Sequence, residues 1–107
     1  MQSLPLALDR LHTPLCVTAP EPRRDPSGKI LADHEGNPLW TTAIAVRRFG
    51  QRKPTVIDIS TATEPLGVTV GAPLRIVELD AIPWALNGRV GISFKAAQIL
   101  PHDELDW

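Results

Sequence analysis

The sequence predicts an all-β protein, a small barrel curled from about five strands, and three observations predict it. Eleven prolines among the 107 residues fall between apolar runs, and punctuation that dense breaks helices and leaves short strands and loops. Several runs alternate apolar and polar residues at period two, as half-buried strands do. The third observation is Asn87-Gly88, flanked by the apolar runs Leu74 to Ile82 and Val90 to Leu100. Both turn residues tolerate the positive φ of a two-residue hairpin turn. Five strands with short connections suit a curled barrel, whereas a two-sheet sandwich would want about seven.

Residues 1–10 form an N-terminal arm in which Leu4, Leu6 and Leu8 alternate around Pro5, readable as an added edge strand or as a loose terminus. Leu11 to Ala19 reads as the first strand. Glu21 to Ser27, rich in proline and charge, reads as a loop. Ser27-Gly28-Lys29 and Asp33 to Pro38 read as polar turns around the short Ile30-Leu31 run. Leu39 to Phe49 is the clearest strand. Trp40, Thr42, Ile44 and Val46 share one face, and Leu39, Thr41, Ala43, Ala45, Arg47 and Phe49 share the other. A basic turn, Gly50 to Pro54, leads to a strand over Thr55 to Thr61. Thr61 to Val70, with Pro65 and Gly67, has room for at most a short helical turn. Between Leu74 and Leu79 the apolar parity shifts by one residue, as a β-bulge at a barrel corner would shift it. The barrel spans residues 11–100, and residues 101–107 form an acidic tail.

Charge and composition exclude several function classes. The formal net charge is −1. Three of the twelve acids, Asp103, Glu104 and Asp106, lie in the tail, which leaves a mildly basic body of nine acids against eleven lysines and arginines. The lone Cys16 cannot form an internal disulfide. No apolar run is long enough for a membrane span, and the first fifteen residues lack signal-peptide character. The expected location is the cytoplasm. His12, His34 and His102 are scattered, and no metal-ligand spacing, nucleophile elbow, phosphate-cradling loop or paired-carboxylate motif is present. The sequence therefore predicts neither catalysis nor a cofactor.

Gly71-x-x-Leu-x-Ile, Trp84, Asn87-Gly88-Arg89 and the aromatic-bearing strand ending near Ile99 resemble the fourth and fifth strand region of bacterial single-stranded DNA-binding proteins. Leu39-Trp40 through Val46 to Phe49-Gly50 is similar to an earlier strand of that family. The Pro-Leu-Trp and Gly-Ile-Ser-Phe stretches look like those of small variants carried by actinobacterial plasmids and integrative elements. The resemblance covers roughly residues 11–100. It implies a five-stranded Greek-key barrel of the oligonucleotide/oligosaccharide-binding type and sequence-tolerant single-strand binding in replication or conjugative transfer, as a dimer or tetramer. Two features depart from the family: Thr61 to Val70 lacks helix signals, and the long Gly- and Pro-rich linker before the acidic tip is missing. Asp103, Glu104 and Asp106 with Trp107 still echo that tip, which docks replication or transfer proteins; a solvated terminus is the other reading.

Binding a single strand without reading it requires π faces for bases and cations that follow the phosphates. The candidate stacking residues are Trp40, Phe49, Trp84 and Phe94. Trp84 leads them, because full burial is hard to arrange beside a hairpin turn, although it could instead cap the barrel end. Trp40 and Phe94 share faces with Ile44 and Ile92, so core packing is open to both. Candidate phosphate contacts are Arg47, Arg48, Arg52, Lys53, Arg75, Arg89 and Lys95, with the turn cluster Arg48 to Lys53 creating the strongest local potential. The competing expectation is a protein-interaction adaptor on the same barrel, working through edge strands or the acidic tail.

Overall fold

The computed structural model describes residues 3–102, which form nine strands and one short 3-10 turn. In chain order the strands are β1 (Leu4–Pro5), β2 (Leu15–Cys16), β3 (Glu21–Pro22), β4 (Trp40–Val46), β5 (Thr55–Thr61), β6 (Leu74–Val77), β7 (Asp80–Leu86), β8 (Arg89–Lys95) and β9 (Gln98–Pro101). Seven of them make one sheet, curled into a half-barrel, in the order β1-β7-β8-β5-β4-β2 with β3 also on β4. Strands β6 and β9 pair separately as an antiparallel ribbon.

The strand count exceeds the expected five for physical reasons. The run Leu74 to Ile82 is broken where its parity shifts: Glu78 takes φ 56, ending β6 and re-aiming the chain into β7. The run Val90 to Leu100 breaks likewise between Lys95 and Gln98, where Ala96 N–H donates to Ser60 O (3.0 Å) and Ala97 N–H to Val77 O (2.9 Å). The expected strand Leu11 to Ala19 lies along β4 but is interrupted at Thr13-Pro14. His12 N–H donates to Arg47 O (2.8 Å) before the gap, and Leu15 and Cys16 pair with Ala45 and Ile44 after it. Proline has no N–H to give the ladder. In the N-terminal arm, Leu4 and Pro5 pair with Ala81 and Asp80, Leu6 N–H donates to Leu79 O (2.9 Å), and Leu8 packs against the core. Residues 62–73 hold no helix.

Alternation decides which face is buried. Thr42 and Ile44 of β4 lie opposite Ile59 and Ile57 of β5, and Phe94 of β8 lies opposite Ile59. Ile44 and Ile59, both fully buried, join Cys16, Val68, Leu74, Ile76, Leu79, Ala96 and Ile99 in one core. Burying one such isoleucine contributes about 1.5–3 kcal/mol. The ribbon β6–β9 covers this face, and β2 ties it to the sheet: Cys16 N–H donates to Ala72 O (3.0 Å) and Leu74 N–H to Pro14 O (2.8 Å). Thr41, Ala43, Val56, Asp58 and Ser60 therefore point to the opposite, outer face.

Candidate nucleic-acid interface

The site begins with the β7–β8 hairpin. Asn87 and Gly88 adopt φ 53 and 76, the two positive values of a tight primed turn, and the register runs from Leu86↔Arg89 to Asp80↔Lys95. That register sets Trp84 opposite Gly91. The indole lies across the glycine, and a Cβ there would stand 2.7 Å from Trp84 Cε2. Without a side chain at position 91 the ring folds over the strand yet stays 37% exposed.

A groove opens where two strands part. β5 and β8 run parallel but pair only at Ile59↔Phe94 and Ser60↔Lys95. Upstream of those pairs they diverge, leaving a groove of about 420 Å³ lined by Val56, Asp58 and Ser60 of β5, Ile92 and Ser93 of β8, and Trp84. Thr41, Ile57, Phe94 and Arg23 complete it. Because the strands are parallel, Arg89 at the start of β8 lies at the same end of the sheet as Arg52 and Lys53, just before β5. None of these three cations lines the groove itself.

Arg23 is held at the closed end by a structure the chain builds for it. Its N–H donates to Leu39 O (2.8 Å), Leu39 N–H to Leu31 O (2.9 Å), and Leu31 N–H back to Arg23 O (2.8 Å), so three backbone segments close a triangle. The two connections between them are matched turns, Asp25-Pro-Ser-Gly28-Lys29 and Asp33-His-Glu-Gly36-Asn37. Asp25 Oδ1 accepts from the Ser27 hydroxyl (2.6 Å) and the Ser27 and Lys29 N–H groups (2.9 and 3.0 Å). Asp33 Oδ1 accepts from the Glu35 and Asn37 N–H groups (both 2.9 Å). The Ser27 hydroxyl and the Lys29 amide hold the Asp25 carboxyl below its ordinary range, and the Asn37 amide leads the same effect at Asp33. From this frame Arg23 Nη1 donates to Ser60 Oγ at 2.8 Å. A second depression of about 380 Å³, lined by Glu21, Pro22, Arg23, Arg24 and Thr41, continues the groove over the outer face.

The expected site residues divide. Trp84 and Phe94 line the groove, although Phe94 also packs against the core. Arg52, Lys53 and Arg89 lie toward the end of the sheet where β5 and β8 begin and do not line the groove. Lys95 is exposed at the closed end, opposite Asp80. Trp40 is half-buried on the core-side face of β4, between Pro22 and Thr61, and lies outside the groove. Arg47 Nη1 donates to Gln51 O (3.0 Å) inside its own turn. Arg48 lines a separate apolar cavity of about 400 Å³ with Leu6, Arg10, Val46 and Leu79. Phe49, 60% exposed, meets His12 edge-on with ring centroids 4.7 Å apart, beyond the groove. Arg75 is exposed on β6. Asp103, Glu104, Asp106 and Trp107 lie outside the described residues.

Sequence reasoning missed Arg23, Asp58, Ser60 and Ser93. Asp58 did carry a signal, since aspartate is depleted in strands and here interrupts Val56-Ile57 and Ile59. The groove offers stacking surface, hydroxyls, one fixed guanidinium and one carboxylate. Cys16 is buried, its Sγ donates to Thr18 O (3.2 Å), and burial pushes its thiol up, which makes it a poor nucleophile. Among the described residues no three His, Cys, Asp or Glu side chains gather as metal ligands, and no helix is long and apolar enough to cross a membrane. No family model, curated protein or solved structure matches this chain.

Proposed function

We propose that this protein binds single-stranded DNA, without catalysis and largely without regard to sequence, in the groove between β5 and β8. Trp84 carries the reading: an indole laid over Gly91, partly exposed, as one wall of a groove that Arg23 also lines. Stacking on such a face contributes about 1–3 kcal/mol per base. The proposal includes a barrel of the oligonucleotide-binding type. Its support is the strand order: β2, β4 and β5 form a meander, β5 meets β8 in parallel, β8 returns to β7, and Leu15 bridges to Pro73 just before β6. With β6–β7 and β8–β9 each taken as one bent strand, and the two-residue strands β1 and β3 set aside as additions to the sheet edges, five strands remain. The proposed setting is replication or transfer of a mobile element in the cytoplasm.

The test is the anisotropy of a labelled thymine dodecamer titrated with the protein and with Trp84→Ala, at low and high salt. The expected result is binding whose log–log salt slope is about −0.7 per phosphate neutralised, weakened about fivefold or more by the substitution. Binding that ignores both salt and Trp84 contradicts the proposal.

A second reading has its own observation. The hairpin exposes Leu86 (67%), Val90 (81%) and Ile92 (59%), and the edges of β5 and β8 facing the groove are unpaired upstream of Ile59 and Phe94. Open edges and apolar tips suit protein contact, either a second copy or an adaptor's partner. Sedimentation separates these: a dimer or tetramer at micromolar concentration supports self-association, and a lasting monomer removes it.

A further inference from the structure

The groove contains a group that a purely backbone-following site would exclude. Asp58 lies on the outer face of β5, two residues from Ser60 and in the same groove as Trp84. It is the only acid among the described residues that line the groove. Arg23, the only cation among the described residues that line it, donates to Ser60 Oγ. A phosphate passing over Asp58 would meet like charge. The strand's backbone is therefore favoured away from Asp58, toward Arg23 and Arg24 on the outer face and toward the end of the sheet that carries Arg52, Lys53 and Arg89. The bases are then left to face the β5 floor.

An ionised carboxylate accepts hydrogen bonds through two oxygens and donates none. A base edge brought against it is favoured according to the N–H groups it offers. Guanine presents two adjacent donors, N1–H and N2–H, which match both oxygens. Cytosine and adenine present one amino group beside an acceptor. Thymine presents a single N3–H between two carbonyl oxygens, both repelled by the carboxylate. The hydroxyls of Ser60, Ser93 and Thr41 line the same groove and adapt to any of these edges, because each can donate or accept.

We propose that Asp58 gives this groove a base preference, guanine first and thymine last, by accepting N–H groups from a base stacked on Trp84. This rests on the single-strand-binding reading and makes it more specific: the site tolerates sequence but is not indifferent to it. The carboxylate acts as a selectivity-determining contact, and the cations in and around the groove supply affinity common to all sequences.

The test compares three labelled dodecamers by anisotropy in lithium chloride, which keeps guanines single-stranded: all-thymine, alternating guanine–thymine and alternating cytosine–thymine. The proteins are the native chain, Asp58→Ala and Asp58→Asn. A well-formed bidentate pair discriminates by about fivefold or more. The native chain should therefore bind the guanine–thymine strand at least about fivefold tighter than the all-thymine strand, with cytosine–thymine between. In Asp58→Ala the ratio should collapse toward one while all-thymine affinity holds or rises, because a like charge has left the groove. Asp58→Asn, with one acceptor and one donor group, should also lose the guanine preference. Equal affinities in the native chain, or a preference that survives both substitutions, overturns the role of Asp58 and leaves single-strand binding standing. Failure to bind any of the three overturns both.

Discussion

Adding one methyl group at Gly91 should dislodge Trp84. In Gly91→Ala the new Cβ would stand 2.7 Å from Trp84 Cε2 and closer still to Cζ2. Carbon atoms in contact sit about 3.5–4.0 Å apart, so the ring must retreat by about 1 Å or swing off the strand. The side chain already borders solvent, so the hairpin can let it go without unfolding. If about 50 Å² of indole is newly exposed, the loss is about 1.3 kcal/mol. Replacing a strand glycine with alanine returns roughly 0.5–1 kcal/mol, which leaves stability nearly unchanged. Affinity for a single strand should respond far more, because a displaced platform forfeits stacking worth about 1–3 kcal/mol, roughly a 5- to 150-fold loss. Denaturant unfolding and oligonucleotide anisotropy on the same preparation separate the two effects. A red-shifted tryptophan emission together with undiminished affinity would refute the reasoning, since the indole would have moved without consequence.

Two further substitutions and a pH scan probe the frame around the groove. Thr42 is fully buried, and its Oγ1 has no hydrogen-bond partner among the described residues. Thr42→Val should stabilise the protein by about 1 kcal/mol in denaturant unfolding by removing an unsatisfied hydroxyl, and a comparable loss would show that the hydroxyl is satisfied. The Asp25 and Asp33 carboxyls both titrate below their ordinary range, so the support they give their turns is complete above about pH 4 and disappears as pH falls through the lower folded-state values. Amide exchange at Ser27, Lys29, Glu35 and Asn37 should accelerate in that acid window ahead of exchange at Ile44 and Ile59, and simultaneous loss would contradict it. Asp25→Asn should reproduce the acid effect in its own turn at neutral pH while leaving the Asp33 turn protected.

Much of the local structure was legible in the sequence because local rules govern it. Thr55 to Thr61 is a strand over the residues its alternation marks, Asn87-Gly88 makes the turn its φ tolerance predicts, and the parity shift before Leu79 coincides with the bend at Glu78. What remained hidden depends on pairs distant in sequence. The groove exists because β5 and β8 pair at two positions and then part, a fact about register that no periodicity encodes. Arg23 looks like one more charge in a Pro-rich loop, and only the triangle linking residues 23, 31 and 39 turns it into a fixed donor. The sign that could have suggested the triangle is Asp-x-x-Gly repeated eight residues apart, at Asp25 and Asp33. Trp40 illustrates the opposite limit: alternation placed it with Thr42 and Ile44, and that face is the one turned toward the core.

The central claim is that the groove between the diverging strands is where a single strand lies, and amide chemical shifts test it most directly. Titrating ¹⁵N-labelled protein with an unstructured thymine dodecamer should move the amides of Thr41, Val56 to Ser60 and Gly91 to Phe94, the Trp84 indole N–H, and Arg23 at the closed end. Amides of β6 and β9 on the covered side should stay in place. Shifts concentrated on β6, β9 or the cavity around Arg48, with the groove unmoved, would contradict the account.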